Sequence, residues 1–255
     1  MPNDTSKTAA AAEGSDRTGR RKRFYTHTGV GAYDGGFALL LDGRPARTSG
    51  KAAFVLPTAA AAEAIAKEWA AQGEEIDFAS MPLTRIATAA IDAVAAKIEA
   101  VVDEIVKYAE TDLVCYRAES PATLVRAESE AWDPILAFAA DRLGAHFVVA
   151  EGIAFTPQPA AATAAVWRKV EAVAGGAAAP LALACLSVMT ALTGSVLIAL
   201  ALAERAISLE EAWRAAHVEE DHEIRLWGED QEAMTRRARR FAEMAAAEQL
   251  WRLVS

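Results

Sequence analysis

Residues 208–228 read SLEEAWRAAHVEEDHEIRLWG, and the way this stretch folds decides how the rest of the chain is arranged. Ser208 followed by Glu211 is a capping-box pattern, in which hydroxyl and carboxylate each satisfy a backbone N–H at a helix start. Gly228 suits the residue just past a helix end, where a positive φ is needed. Between them Leu209, Trp213, Ala216, Ile224 and Trp227 fall on one stripe, which predicts a single amphipathic helix over residues 208–227. The remaining member of that stripe is Glu220, with Glu219 beside it. A carboxylate on an apolar stripe must be paired, protonated or waiting for a partner.

The segment before it, residues 172–203, carries no charge, which raises a membrane reading. A spanning helix needs about 20 continuous apolar residues. Here Thr190, Thr193, Gly194 and Ser195 interrupt the run, and Gly194-Ser195 reads as a stop followed by a new N-cap. Residues 181–193 and 196–206 are then two short helices buried on all sides, the central layer of a bundle.

The chain's 255 residues can bury a sizeable core, and alanine, leucine and glutamate in this proportion favour helix. A net charge of −9 argues against a nucleic-acid partner. Cys115 and Cys185, the only cysteines, lie far apart in apolar surroundings, which fits a reducing compartment better than a disulfide scaffold. Residues 1–22 are read as a disordered tail, its Arg20–Arg23 cluster lacking the apolar run of a secretory signal. Its acids Asp4, Glu13 and Asp16 count against a mitochondrial presequence.

Residues 23–80 form a β-rich unit with one helix. Strands are expected at residues 24–28, 37–41 and 53–56, with hairpin turns at Asp34-Gly35-Gly36 and Asp42-Gly43. Gly29, Gly31, Gly35 and Gly36 do not make a phosphate loop, because Asp34 breaks the spacing and no helix follows. Pro57-Thr58 opens a helix over residues 59–71, ended by Gly73. Residues 81–255 are expected to be all helical, with roughly seven or eight helices by periodicity. The longest early one is predicted over residues 83–107, on a stripe of Leu83, Ala87, Ile91, Val94, Ile98, Val101 and Ile105. A helix from Pro121 is expected to break at Trp132-Asp133-Pro134 and resume to Leu143. Residues 147–155 read as extended, and a last, polar helix runs over residues 229–251. The fold class is therefore α+β, a small β-rich domain followed by a helical bundle.

Few residues suggest catalysis. His217 and His222 imitate HExxH, but they are five apart, about 140° around a helix, where that motif needs about 40°. They are read as solvated helix-face residues. No GxSxG, Walker lysine or CxxC pattern occurs. Asp92, Asp112 and Asp133 are acids that no spacing pairs, and Ser195 reads as a cap. The basic run Arg236-Arg237-Ala238-Arg239-Arg240 reads as a solvated face interleaved with Glu232 and Glu243.

Several segments occur in order: Arg23-Phe24-Tyr25, Leu41-Asp42-Gly43-Arg44-Pro45, Leu56-Pro57-Thr58, Glu68-Trp69-Ala70-Ala71-Gln72-Gly73 and Met81-Pro82-Leu83-Thr84-Arg85. They continue with Glu110-Thr111-Asp112-Leu113-Val114-Cys115-Tyr116-Arg117, Trp132-Asp133-Pro134, Thr193-Gly194-Ser195, and Glu219-Glu220 followed by Trp227-Gly228. The set resembles the ATP12 family, assembly chaperones of the F1 sector of ATP synthase. The resemblance implies an N-terminal α/β domain and a C-terminal orthogonal helical bundle, with no catalytic residue, cofactor or metal. It further implies binding of the unassembled F1 α subunit before it pairs with β, and a functional glutamate at Glu219 or Glu220. Most of the motif residues are read as packing. His222 stands where an aromatic residue is expected, Thr88 where asparagine is usual, and Ala46 where a larger apolar residue is usual.

The expected partner-binding residues are Glu219, Glu220, Glu223 and Trp227, on a monomer of the bacterial cytoplasm or, in a eukaryote, the mitochondrial matrix. The alternative is a small soluble enzyme using Glu220 as general acid or base, which requires a concave pocket and a second polar group beside that residue. Glu220→Lys is expected to abolish assembly support with the fold intact. Unfolding of that variant would mean that Glu220 pairs with an arginine.

Overall fold

The computed structural model describes residues 21–152 and 154–255, so most of the expected tail lies outside the described residues. Its last two residues, which the sequence assigned to that tail, form strand β1 (Arg21–Lys22), paired antiparallel with a later strand at Ile76 and Glu75. A four-stranded antiparallel sheet follows, built from β2 (Thr28–Tyr33), β3 (Gly36–Leu41), β4 (Arg44–Pro45) and β5 (Val55–Leu56). Both hairpin turns are where the sequence puts them. Asp34 and Gly35 have φ of 44° and 78°, Asp42 and Gly43 of 49° and 76°, the left-handed pairs that suit two-residue hairpins.

The first strand of this sheet starts later than expected. Residues 24–27 are not strand, and side chains rather than a neighbouring strand engage their backbone groups. The Asp42 carboxylate accepts from the backbone N–H of Thr26 and of His27 (2.7 Å), and the Arg23 guanidinium donates to the carbonyls of Tyr25, Thr26 and Gln72. The strand instead takes in Gly29 and Gly31, over which Leu40 lies.

Helix α1 (Ala59–Ala70), capped by the Thr58 hydroxyl on Ala61 N–H, packs on the sheet through Ile65 and Trp69. Strand β6 (Glu75–Ile76) then leads to α2 (Pro82–Asp92). Several motif residues are the joints of this region. The Glu68 carboxylate accepts from Leu83 N–H and Thr84 N–H, both at 2.8 Å, and so caps α2, whose Pro82 occupies the first helical position. Gln72 accepts from Asp77 N–H, and Tyr25 Oη donates to the Trp69 carbonyl.

The expected helix over residues 83–107 is two helices. It breaks after Asp92, passes a single turn at residues 94–96, and restarts as α3 (Ile98–Lys107). Neither glycine nor proline marks the break. The Asp92 carboxylate is drawn out to the 48–50 loop, accepting from Thr48 Oγ1 (2.5 Å), Ser49 Oγ and Gly50 N–H. Strand β7 (Tyr116–Arg117) pairs in parallel with the later β8 (Ala150–Glu151). Between them α4 (Ala122–Phe138) runs unbroken through Pro134, where a break was expected. Pro134 and Glu130, whose carbonyl loses its donor, are both exposed, so the missing bond falls on a solvent-facing side of the helix where its cost is low.

After α5 (Ala160–Ala174) come α6 (Ala179–Thr193) and α7 (Val196–Ala203); α7 is buried along nearly its whole length as expected, whereas α6 keeps one side partly open at Ser187, Val188 and Ala191. Gly194 has φ of 67°, and Ser195 caps α7 on Ile198 N–H. Among the described residues no helix is long and apolar enough to cross a membrane. Asp112 also reaches the start of α7, accepting from Leu197 N–H at 3.1 Å. It is fully buried, and burial pushes its carboxyl up to about 6.

The stretch quoted first is not one helix. It is α8 (Leu209–Ala216) and α9 (Val218–Trp227), with His217 at φ −126°, ψ 25° between them. The chain closes with α10 (Gln231–Val254), which packs along α6 and buries Met244, Ala247 and Leu250. This helix supplies donors to helix ends that would otherwise lack them: Arg240 to the Leu192 carbonyl and Trp251 Nε1 to the Ala203 carbonyl. The Thr58 hydroxyl donates to the Leu253 carbonyl, tying α10 to the β-rich part.

Candidate functional site

The break at His217 decides which side chains α9 offers to solvent. The last carbonyls of α8 need donors, and one tertiary and one local donor are present. Trp132 Nε1 donates to the Ala215 carbonyl at 2.6 Å, and His217 Nδ1 lies 2.8 Å from the Trp213 carbonyl. A carbonyl can only accept, so the neutral ring carries its proton on Nδ1. The imidazole stacks on Trp213 with centroids 3.9 Å apart. Burial holds its pKa below the ordinary histidine value, the Trp213 bond acting the other way. His217 and His222 are both buried, so neither is the solvated face residue expected from the sequence. Among the described residues no group of three or more His, Cys, Asp or Glu could hold a metal ion.

With the helix restarted at Val218, the expected apolar stripe does not form. Val218 and His222 face inward, and Trp227 is 86% exposed. Glu219, Glu223, Leu226 and Trp227, spaced i, i+4, i+7 and i+8, form one outward stripe. Two carboxylates lie at its start and two large apolar side chains at its end. Leu226, which the sequence did not single out, is 61% exposed, and neither Glu219 nor Glu223 makes an ion pair among the described residues.

Glu220 lies on another side of α9, toward α10. Its carboxylate is 3.8 Å from Arg237 Nη1 and 3.9 Å from His217 Nε2, while Asp221 holds Arg237 Nη2 at 2.5 Å. Of the three fates open to this carboxylate, the structure shows it paired. Arg237 belongs to the basic run read as a solvated face, yet its side chain is only 13% exposed. Opposite charge between that run and the three acids from Glu219 to Asp221 was the available signal. The three expected glutamates thus divide: Glu219 and Glu223 face outward with Trp227, and Glu220 fixes α9 to α10.

A groove of about 380 Å³ runs beside α9, between it, α4 and α8, lined by Pro134, Ile135, Arg214, Val218, Asp221 and Arg225 among others. Glu220 is not among the residues that line this groove, although its neighbour Asp221 is. Beneath Glu219, Glu128 on α4 is fully buried and accepts from Ala118 N–H at 2.8 Å. Burial pushes its carboxyl up, the Glu219 charge adding to the rise, while the Ala118 bond and Arg117 oppose it.

An α+β fold that turns one helix stripe outward, acidic at one end and apolar at the other, has the form of a protein-binding module. Comparison with known proteins specifies it. The ATP12 chaperone protein family model matches residues 22–140. A crystal structure of an Agrobacterium tumefaciens protein, described there as a candidate chaperone, is 42% identical, with 93% of this chain and 87% of that one covered and a TM-score of 0.88. The crystal structure of Atp12 from Paracoccus denitrificans is 38% identical over 92% of this chain and 98% of that one, with a TM-score of 0.85. A single-substitution variant of the Paracoccus protein gives 38% identity and a TM-score of 0.84 over the same shares. The chain belongs to the ATP12 chaperone family.

Proposed function

We propose that this chaperone holds the unassembled F1 α subunit of ATP synthase until that subunit pairs with β, acting as a monomer without catalysis. The observation that carries the site is the outward stripe of α9. Leu226 and Trp227 offer apolar contact of the kind an unassembled subunit needs for its own exposed interface. Glu219 and Glu223 select a client surface that carries cations and let it leave as subunit–subunit contacts replace them. Glu220, Asp221 and Arg237 keep the stripe pointed outward. The place of action is the compartment in which F1 assembles, the cytoplasm of a bacterium or the mitochondrial matrix.

Affinity purification of the tagged chain from its own cells at low salt tests the reading. Recovery of F1 α without β is the expected result. Recovery of neither subunit, with α present in the lysate, overturns it.

A further inference from the structure

Among the described residues strand β2 leaves one side of its backbone unbonded. There it is the terminal strand of its sheet and pairs only with β3. The register sets Val30 opposite Leu39. Leu39, however, spends both backbone groups on the other side, its N–H donating to the Phe54 carbonyl (3.1 Å) and its carbonyl accepting from Ala46 N–H (2.8 Å). Val30 therefore belongs to a non-bonded pair, and its own N–H and C=O point away from β3. The same holds two residues either way, at Thr28 and Ala32. The bond from Asp42 N–H to the His27 carbonyl, an odd number of residues from Val30, confirms the alternation. Among the described residues none of these three N–H and three C=O groups has a partner.

Edge strands are normally protected by lysine, proline, a bulge or a covering element. Thr28–Tyr33 has neither charge nor proline, and its six register pairs with β3 run without a bulge. Ala32 and Tyr33 are exposed, and the strand carries nothing bulkier than Val30 before Tyr33. Donors and acceptors alternating along an uncharged six-residue edge can be matched together only by another extended main chain.

We propose that the free edge of β2 takes up an extended segment of the client as an added strand. This is a second contact, distinct from the α9 stripe, and it rests on the reading of the chain as a holder of an unassembled subunit. The recognised chemistry is backbone, so the edge accepts strand-forming segments with little demand on their sequence.

Ala32→Pro removes an outward N–H without touching a bond to β3, and edge positions tolerate proline for that reason. Ala32→Ser keeps the N–H and serves as its control. Capture of purified F1 α is measured for both and for the wild type, with hydrogen exchange followed at individual amides. Expected is a loss of about tenfold in capture for Ala32→Pro, wild-type capture for Ala32→Ser, and client-dependent protection at the Thr28, Val30 and Ala32 amides. The Gly29 and Gly31 amides, already bonded to β3, should change little. Wild-type capture by a folded Ala32→Pro, or no new protection at the three amides with client bound, overturns the edge contact and leaves the α9 reading standing. A self-associated dimer that Ala32→Pro dissociates would assign the edge to a second copy and likewise overturn it. Failure of the wild type to capture α overturns the client reading itself, and the edge contact with it.

Discussion

Two carboxylates that adjoin in sequence have separate tasks, and charge reversal tells them apart. Glu219 has no ion-pair partner among the described residues, so Glu219→Lys should move the thermal midpoint only through the buried Glu128 carboxyl beneath it and the start of α9, while capture of the client is lost. Glu220→Lys sets an ammonium beside Arg237 and His217. Asp221 still holds Arg237, so the penalty is that of a half-exposed pair, under about 1 kcal/mol. That variant should stay folded, melt slightly lower and also lose capture, because α9 turns against α10. Equal midpoints for the two variants would contradict this division. Asp112 gives a prediction with a pH sign. The folded carboxyl holds its proton up to about 6, against 3.8 ordinarily. The folded state therefore binds more protons in that window, and this group's contribution to stability is lost as pH rises through it. Asp112→Asn keeps an acceptor for Leu197 N–H and should flatten that part of the profile. Midpoints of the two proteins measured from about pH 4 to 6 should diverge in favour of the variant, and parallel curves would contradict the assignment.

Helix ends are where this structure concentrates its polar joints. Trp132, 1% exposed, satisfies the last turn of α8 through the Ala215 carbonyl. Trp132→Phe leaves that carbonyl without a donor and a gap beside it, a loss of about 2–4 kcal/mol, read as a lower denaturation midpoint. Glu68→Ala strips the cap from α2 and should remove about 1–2 kcal/mol, with the loosening visible first as faster exchange at Leu83 and Thr84. These joints also explain what was legible in the sequence. The hairpin turns, the Thr58, Ser195 and Ser208 caps and the Gly194 stop are local chemistry, and each lies where residue type alone puts it. The breaks after Asp92 and at His217 depend on partners distant in sequence, the 48–50 loop and Trp132, and no local residue announces them. Pro134 misleads in the opposite direction, since its lost bond falls on a wet face. The candidate site was legible only in part, since Glu219, Glu223 and Trp227 stand out in the sequence and Leu226 does not. The site's division into outward and bracing members was not legible, because a stripe drawn through a helix break turns the wrong side chains inward.

At the scale of the molecule, the two parts are fastened at several points. Glu68 caps α2, Asp92 holds the 48–50 loop, and Thr58 bonds the Leu253 carbonyl near the chain end. The family's ordered motifs largely occupy these joints, which is why their resemblance identifies the fold so well and the client surface so poorly. The outward stripe of α9 is the exception, a place where large apolar and acidic side chains are displayed without an ion-pair or packing partner among the described residues. The most direct test pairs the wild type with a Glu219→Lys/Glu223→Lys double variant in affinity purification from cells making F1 α and β. The wild type should carry α without β, and the double variant, equally abundant and cooperatively folded, should carry neither. Undiminished recovery of α by the double variant would contradict the account.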